Sequence, residues 1–297
     1  MVSLHAFVDD SSSDVGDRRL FLAAYINGAE QWLAFGHEWR AVLEEPPKLG
    51  YLKMAEAQNL SGQFRGWSPA ERDAKVLRLG KVIAAHRPWS VHCSISRADY
   101  TRIVAPVAPF PLKQPYFSCF WGIIRTAADY HLQLDRSRPL DTLPVPPVDY
   151  VFDEQGGLGT DAALWYRWLK EGQEPAVAAM MGDQPIFGDD KEMVALQAAD
   201  MLVWHLRRRH ERGLGEPLPI LDLLTSDGAY REIPTSMLEH WAREFKRAPG
   251  YLAGADKARM ARDAGSDPRH DRRGRRPAKL KLRLPAVDEL QDGTSGS

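Results

Sequence analysis

Near the end of the chain, the twelve residues Met193 to Trp204 (MVALQAADMLVW) have strong helical propensity and hold only two polar side chains, Gln197 and Asp200. On a helix these two lie three apart and share a face. A carboxylate isolated in such apolar company costs several kcal/mol or takes up a proton instead. Asp200 therefore requires a partner, either an arginine from elsewhere or a divalent cation shared with other acids.

Other acids are available. FVDDSSSD, from Phe7, runs an apolar stretch into Asp9 and Asp10, and VFDEQ runs another into Asp153 and Glu154. Asp and Ser also favour turns, so SSSDVGD reads equally as a hairpin loop. α/β proteins nevertheless build their sites at the carboxyl ends of strands. Acids from two strand ends and one helix would suit magnesium or manganese, which prefer hard oxygen ligands. Two such ions, roughly 3.5 to 4 Å apart and sharing a bridging carboxylate, activate water and stabilise the departing oxygen of a phosphodiester. Asp9 is the candidate bridge, because a central strand holds its side chain most rigidly. Asp10 is either a further ligand or the turn's own cap.

The elements that must position these acids are readable from periodicity. Ser3 to Asp9 alternates as a strand, with Leu4, Ala6 and Val8 on one face and His5, Phe7 and Asp9 on the other. Leu20 to Ile26 forms the second strand of a hairpin. Ala29 to Leu43 carries Trp32, Phe35, Trp39 and Leu43 on a helical stripe that Pro46-Pro47 ends. Ser68, Pro69 and Glu71 open a helix reaching about His86. Trp89 to Ser96 is a third strand, and Tyr116 to Leu134 a long helix between the proline-bearing loops Pro106–Pro115 and Pro139–Pro147. Val148 to Phe152 is a strand, Asp161 to Lys170 a helix carrying Trp165, Tyr166 and Trp168, and Pro185 to Phe187 a short strand. Asp189 and Asp190 then cap a helix running to about Arg209. Strands alternating with helices imply an α/β layered fold with an antiparallel start.

Composition narrows the classes further. The chain has 297 residues, a net charge of −1 and two cysteines, Cys93 and Cys119. That excludes a global attraction to nucleic acid or acidic lipid and a disulfide framework. No apolar run approaches the roughly 18 residues of a membrane span. No leader precedes the first strand, so a cytoplasmic protein is expected. One domain is expected over residues 1–250. Residues 251–297 form a basic, disordered tail with eight Arg or Lys between Arg269 and Arg283. The tail is a solvated extension or a contact for nucleic acid or a partner. No His-x-x-x-His or Cys-x-x-Cys spacing points to zinc. His92 and Cys93 read as core and edge residues. Gly156 to Gly159 lacks the Lys and Ser/Thr of a phosphate loop and reads as a turn. Arg207, Arg208 and Arg209 complement a helix C-terminus or hold a nucleic-acid backbone.

Taken in order, FVDDSSSD, VFDEQ and LQAADMLVW resemble the motifs of the family named domain of unknown function 3800. There the first motif usually reads Asp-Glu-Ser-Gly, the second ends a strand in Asp-Glu, and the third is Leu-Gln-x-Ala-Asp. The resemblance covers about Leu4 to Arg209, and KMAEA, FRGWSPAER, SISRADY and PYFSCFWG are similar to one branch of the family. It implies a ribonuclease H-like mixed sheet, with an antiparallel N-terminal hairpin and later parallel strands, flanked by helices. It also implies a metal-dependent nuclease acting on DNA or RNA, with two Mg2+ or Mn2+ ions and Asp9, Asp153 and Asp200 as the catalytic and metal-binding acids. Glu56, in KMAEA, is a candidate fourth acid or a surface residue. Gln197 would orient a ligand or contact substrate, Lys191 would meet a phosphate near a helix start, and Glu154 is a further substrate-side candidate. Asp10 stands where Glu is usual, which shortens its reach, and Ser12 where Gly is usual. The alternative is a non-catalytic binding or regulatory protein of a phage-defence or mobile-element system, with its acids paired to arginines.

Overall fold

The computed structural model describes residues 4–11, 18–108, 112–137, 139, 144–153, 162, 165–167, 169–212, 219–225 and 228–247. The chain divides into Met1–Pro249 and Gly250–Ser297, and every described residue belongs to the first unit.

In chain order the elements are β1 (Leu4–Asp10), β2 (Leu20–Gly28), α1 (Ala29–Glu44), α2 (Met54–Asn59), α3 (Pro69–His86), β3 (Trp89–Ile95), α4 (Arg97–Ile103), α5 (Pro115–Ser137) and β4 (Val148–Asp153). There follow α6 (Pro175–Met180), β5 (Ile186–Gly188), α7 (Val194–Arg212), α8 (Pro219–Leu224), β6 (Gly228–Ile233) and α9 (Thr235–Arg247). Among the described residues the strands form one sheet in the order β5-β4-β1-β2-β3-β6. β2 is antiparallel to both its neighbours, β1 and β3. β4 runs parallel to β1, β5 to β4, and β6 to β3.

The sequence explains why β2 lies inside the sheet. LFLAAYING is apolar almost throughout, as a strand covered on both faces must be. Leu20, Leu22, Ala24 and Ile26 join Ala6 and Val8 of β1 in one core, into which α5 packs Phe117, Phe120, Ile123 and Ile124. Phe21, Ala23 and Tyr25 face a second core made with Trp32, Phe35 and Trp39 of α1, Leu79 and Ile83 of α3, and Ala198, Met201 and Leu202 of α7. Trp165, Tyr166 and Leu169 are buried in the first core. No helix among the described residues is long and apolar enough to cross a membrane.

Local chemistry sets the helix boundaries. Ser68 and Glu71 form a reciprocal capping box, with Pro69 in the first turn of α3. Lys75 of the same helix is buried and donates to the carbonyls of Val42 and Glu45, both at 2.7 Å, satisfying acceptors at the end of α1. Two cysteines expected to be unpaired, Cys93 and Cys119, are buried and free. The basic tail expected from residue 251, Trp168, and the glycines at 156–159 lie outside the described residues.

Candidate metal and catalytic site

Three acids are brought together by the sheet and one helix. β1 and β4 are parallel neighbours, with Phe7 beside Val151, so continuing the register two residues sets Asp9 beside Asp153. Neighbouring strands lie about 4.8 Å apart, and residues in register project from the same face. On that face α7 crosses the ends of the strands and carries Asp200. The small side chain of Ala23, opposite Asp9 on β2, leaves this end of the sheet uncrowded.

The electrostatics record how close the acids are. Burial first, then the charges of Asp200, Asp153 and Asp10, push the Asp9 carboxyl well above the usual carboxylate range, and Lys53 offsets this only in part. Burial likewise pushes the Asp200 carboxyl up to about 6, with Asp190 and Asp153 adding to the shift. A backbone N–H bond from Met54, at 2.7 Å, and the charge of Lys53 oppose it. Asp9 itself accepts the backbone N–H of Asp10 at 2.7 Å.

A short arm of chain before α2 supplies the counter-charge. Gln197 of α7 is fully buried, and its Oε1 accepts the Leu52 N–H at 3.1 Å and the Trp39 indole N–H at 2.9 Å. Its Nε2 donates to the Asp190 carbonyl at 2.8 Å. One amide thus fixes α1, the arm and the turn before α7 together. Between Leu52 and Met54, Lys53 extends its ammonium to Asp190 Oδ2 at 2.5 Å and to Asp153 Oδ2 at 3.6 Å. Burial by itself would lower the Lys53 pKa. The Asp190 hydrogen bond, with the charges of Asp200, Asp9 and Asp153, more than reverses this and keeps it protonated.

These groups line a cavity of about 210 Å³, bounded by Asp9, Asp10, Ser11, Lys53, Asp153 and Asp200 and, further along α7, by Trp204 and Arg207. Arg207 Nη1 donates to the Ser11 carbonyl at 2.8 Å, tying α7 to the end of β1.

The remaining sequence-predicted residues fall elsewhere. Asp10 alternates to the opposite face of the sheet, where its charge is the chief electrostatic contribution, after burial, to raising the Tyr116 hydroxyl of α5, although it also borders the cavity mouth. Glu56 does not join the acids. Its carboxylate accepts the Tyr51 hydroxyl at 2.9 Å and the Gln63 N–H at 2.8 Å. It thereby pins the tight turn at Gly62, where φ is +52° and an added Cβ would lie 2.0 Å from Glu56 Oε2. Its expected place as a metal ligand is corrected to that of a turn strut. Gln197, expected to orient a ligand or contact substrate, is buried and bonds Trp39, Leu52 and Asp190, which suits the orienting role. Lys191 precedes α7, lies over the Tyr51 ring at 5.3 Å and is not among the cavity-lining residues. Glu154 lies outside the described residues.

Two site residues escaped the sequence reading. Asp190 was expected to cap a helix, yet it is Asp189 that accepts a backbone N–H, from Lys191, while the buried Asp190 carboxylate receives Lys53. Lys53 stood in view in KMAEA, but nothing local links it to an acid 137 positions away.

The donor chemistry fits a hard divalent cation. Asp9, Asp153 and Asp200 offer only oxygen ligands, and burial first, then neighbouring carboxylates, raise the Asp9 and Asp200 carboxyls. Among the described residues no group of three His, Cys, Asp or Glu side chains is placed to hold a metal ion as it stands, and the Lys53 ammonium lies within reach of both Asp153 and Asp190. Comparison of the chain with known protein families, with characterised proteins and with solved structures returns no match.

Proposed function

We propose that the chain is a cytoplasmic, divalent-metal-dependent nuclease that hydrolyses phosphodiester bonds of DNA or RNA. The observation that carries this reading is the convergence of Asp9, Asp153 and Asp200, from three distant parts of the sequence, on one cavity. The mixed sheet, an antiparallel hairpin followed by parallel strands with the third acid on a later helix, agrees with the ribonuclease H-like arrangement implied by the motif resemblance. Magnesium or manganese held by Asp9, Asp153 and Asp200 would supply the Lewis acidity that generates hydroxide from water and offsets charge on the scissile phosphate. Lys53 faces the same cavity and binds a non-bridging phosphate oxygen. Arg207 orients the flanking backbone. A water oxygen adds to phosphorus as the bond to one sugar oxygen breaks. The water proton passes to solvent, and the departing oxygen takes a proton from solvent.

One observation favours a second reading, a non-catalytic binding or regulatory protein. Lys53 already neutralises part of the acidic cluster, as a purely structural network would require. Manganese-dependent cleavage of single-stranded DNA, duplex DNA, an RNA hairpin and free nucleotides, beside Asp9→Asn and Asp200→Asn, separates the two. The nuclease reading expects cleavage of a polymer and a loss of at least about a hundredfold in each variant. Equal turnover in wild type and variants, or none in wild type, favours the binding reading. Cleavage of free nucleotides alone would make the enzyme a small-molecule phosphoesterase.

A further inference from the structure

A two-ion site needs its cations roughly 3.5 to 4 Å apart, joined by a carboxylate that touches both. In this chain one of the converging carboxylates, Asp153, is already shared with a cation of the protein's own. Its Oδ2 lies 3.6 Å from Lys53 Nζ, and the same ammonium is 2.5 Å from Asp190 Oδ2. The position is built in. Backbone N–H groups on both sides of Lys53 are held by α7 side chains, Leu52 by Gln197 and Met54 by Asp200. Asp190 is itself held through its carbonyl by that same Gln197. The Lys53 side chain is 34% exposed, so it is held by the buried Asp190 and the half-buried Asp153 while keeping contact with solvent.

We infer that Lys53 takes the place of the second metal ion, making this a site for one divalent cation plus one fixed ammonium. The inference rests on the nuclease reading and replaces the pair of ions that the sequence leads one to expect. In this arrangement Asp9, Asp153 and Asp200 receive the single ion, and Asp153 bridges it to Lys53. An ammonium has three N–H donors. Asp190 takes one of them, Asp153 is held as an ion pair at 3.6 Å, and a further N–H points a hydrogen bond at a phosphate oxygen of the substrate. A second divalent ion in that position would meet a like charge within a few ångströms, a repulsion that a partly buried site screens poorly.

Manganese titration by calorimetry, on the intact chain in the absence of nucleic acid, tests this without relying on activity. Wild type is expected to bind one ion per chain, and Asp9→Asn to lose that binding. Lys53→Met keeps the apolar stem and removes the charge, so it is expected to bind a second ion or to bind the first at least about tenfold more tightly. Lys53→Arg, which keeps the charge, is expected to stay at one ion. Two ions per wild-type chain would overturn the inference and leave the nuclease reading standing. Manganese binding by Lys53→Met identical to wild type would do the same. No saturable binding by wild type would overturn both. Because wild-type stoichiometry is decisive by itself, the test survives a Lys53→Met chain that fails to fold.

Discussion

Asp200 is the residue at which burial and charge oppose each other most measurably. Its carboxyl titrates near 6 in the folded chain, against an ordinary value of 3.8. A raised folded-state pKa means that the folded form holds its proton more tightly than the unfolded form. The associated stability is present below about pH 4 and is lost as pH rises through about 6. Without metal, Asp200→Asn is therefore expected to be more stable than wild type at pH 7.5, by about 2 to 3 kcal/mol, with the difference closing towards pH 4. Urea unfolding in the presence of a chelator, at several pH values, checks this. Only the difference between the two proteins is diagnostic, because His131 and His205 act in the opposite sense. Both are buried, which pulls them down to about 4, so each contributes stability above its ordinary value of 6.5 that is lost on acidification. A wild-type and variant pair whose difference does not change with pH would show that burial does not raise the Asp200 carboxyl. That Asp200 needed a partner was legible in its apolar helix. Which cation of the protein lay near it was not, because Lys53 is brought there by a segment 147 positions earlier, a separation no local pattern spans.

At the scale of elements, the arm preceding α2 matters most, and one buried amide holds it. Gln197→Ala would leave the Trp39 indole N–H, the Leu52 N–H and the Asp190 carbonyl without their partner. Each buried polar group stranded in this way costs about 1 to 3 kcal/mol. Chemical denaturation is expected to show a loss of at least about 3 kcal/mol. Retained stability with weakened metal binding would instead make Gln197 a ligand-side residue. The elements visible in the sequence were those with strong periodicity or chemical stops. α1 shows its aromatic stripe and α3 its capping box, while β1, β2 and β3 show strand patterns. Several elements that escaped are short or lie at the sheet edge, although α9, with 13 residues, also went unread. α2 and α6 have six residues each, too few for a helical period to declare itself. β6 lies at the sheet edge with only Ile233 fully buried, so its residues carry little of the apolar signal that marked β2.

For the whole molecule, the net charge of −1 means that any attraction to a polyanion must come from local groups rather than from an overall field. Two cores close on opposite faces of the sheet within the first unit, and the basic segment the sequence marks is residues 251–297. Removing those residues is expected to shift the thermal midpoint by less than about 3 °C, the equivalent of about 1 kcal/mol for a chain of this size. Differential scanning calorimetry measures it, and a larger fall would make the basic segment part of the folded structure. The α/β class and the antiparallel start followed from alternating strand and helix patterns, while the mixed sheet was implied by the motif resemblance. The sixth strand beside β3 did not, since a parallel partner arriving from the far end of the chain leaves no turn to mark the pairing.

The central claim is that one cation can be shared by carboxylates drawn from two strands and a helix. A crystal grown with manganese and measured for anomalous scattering tests it most directly. A peak is expected among Asp9, Asp153 and Asp200, about 2.2 Å from oxygens of each. A structure with manganese bound elsewhere or nowhere, and Lys53 alone neutralising Asp153 and Asp190, would contradict it.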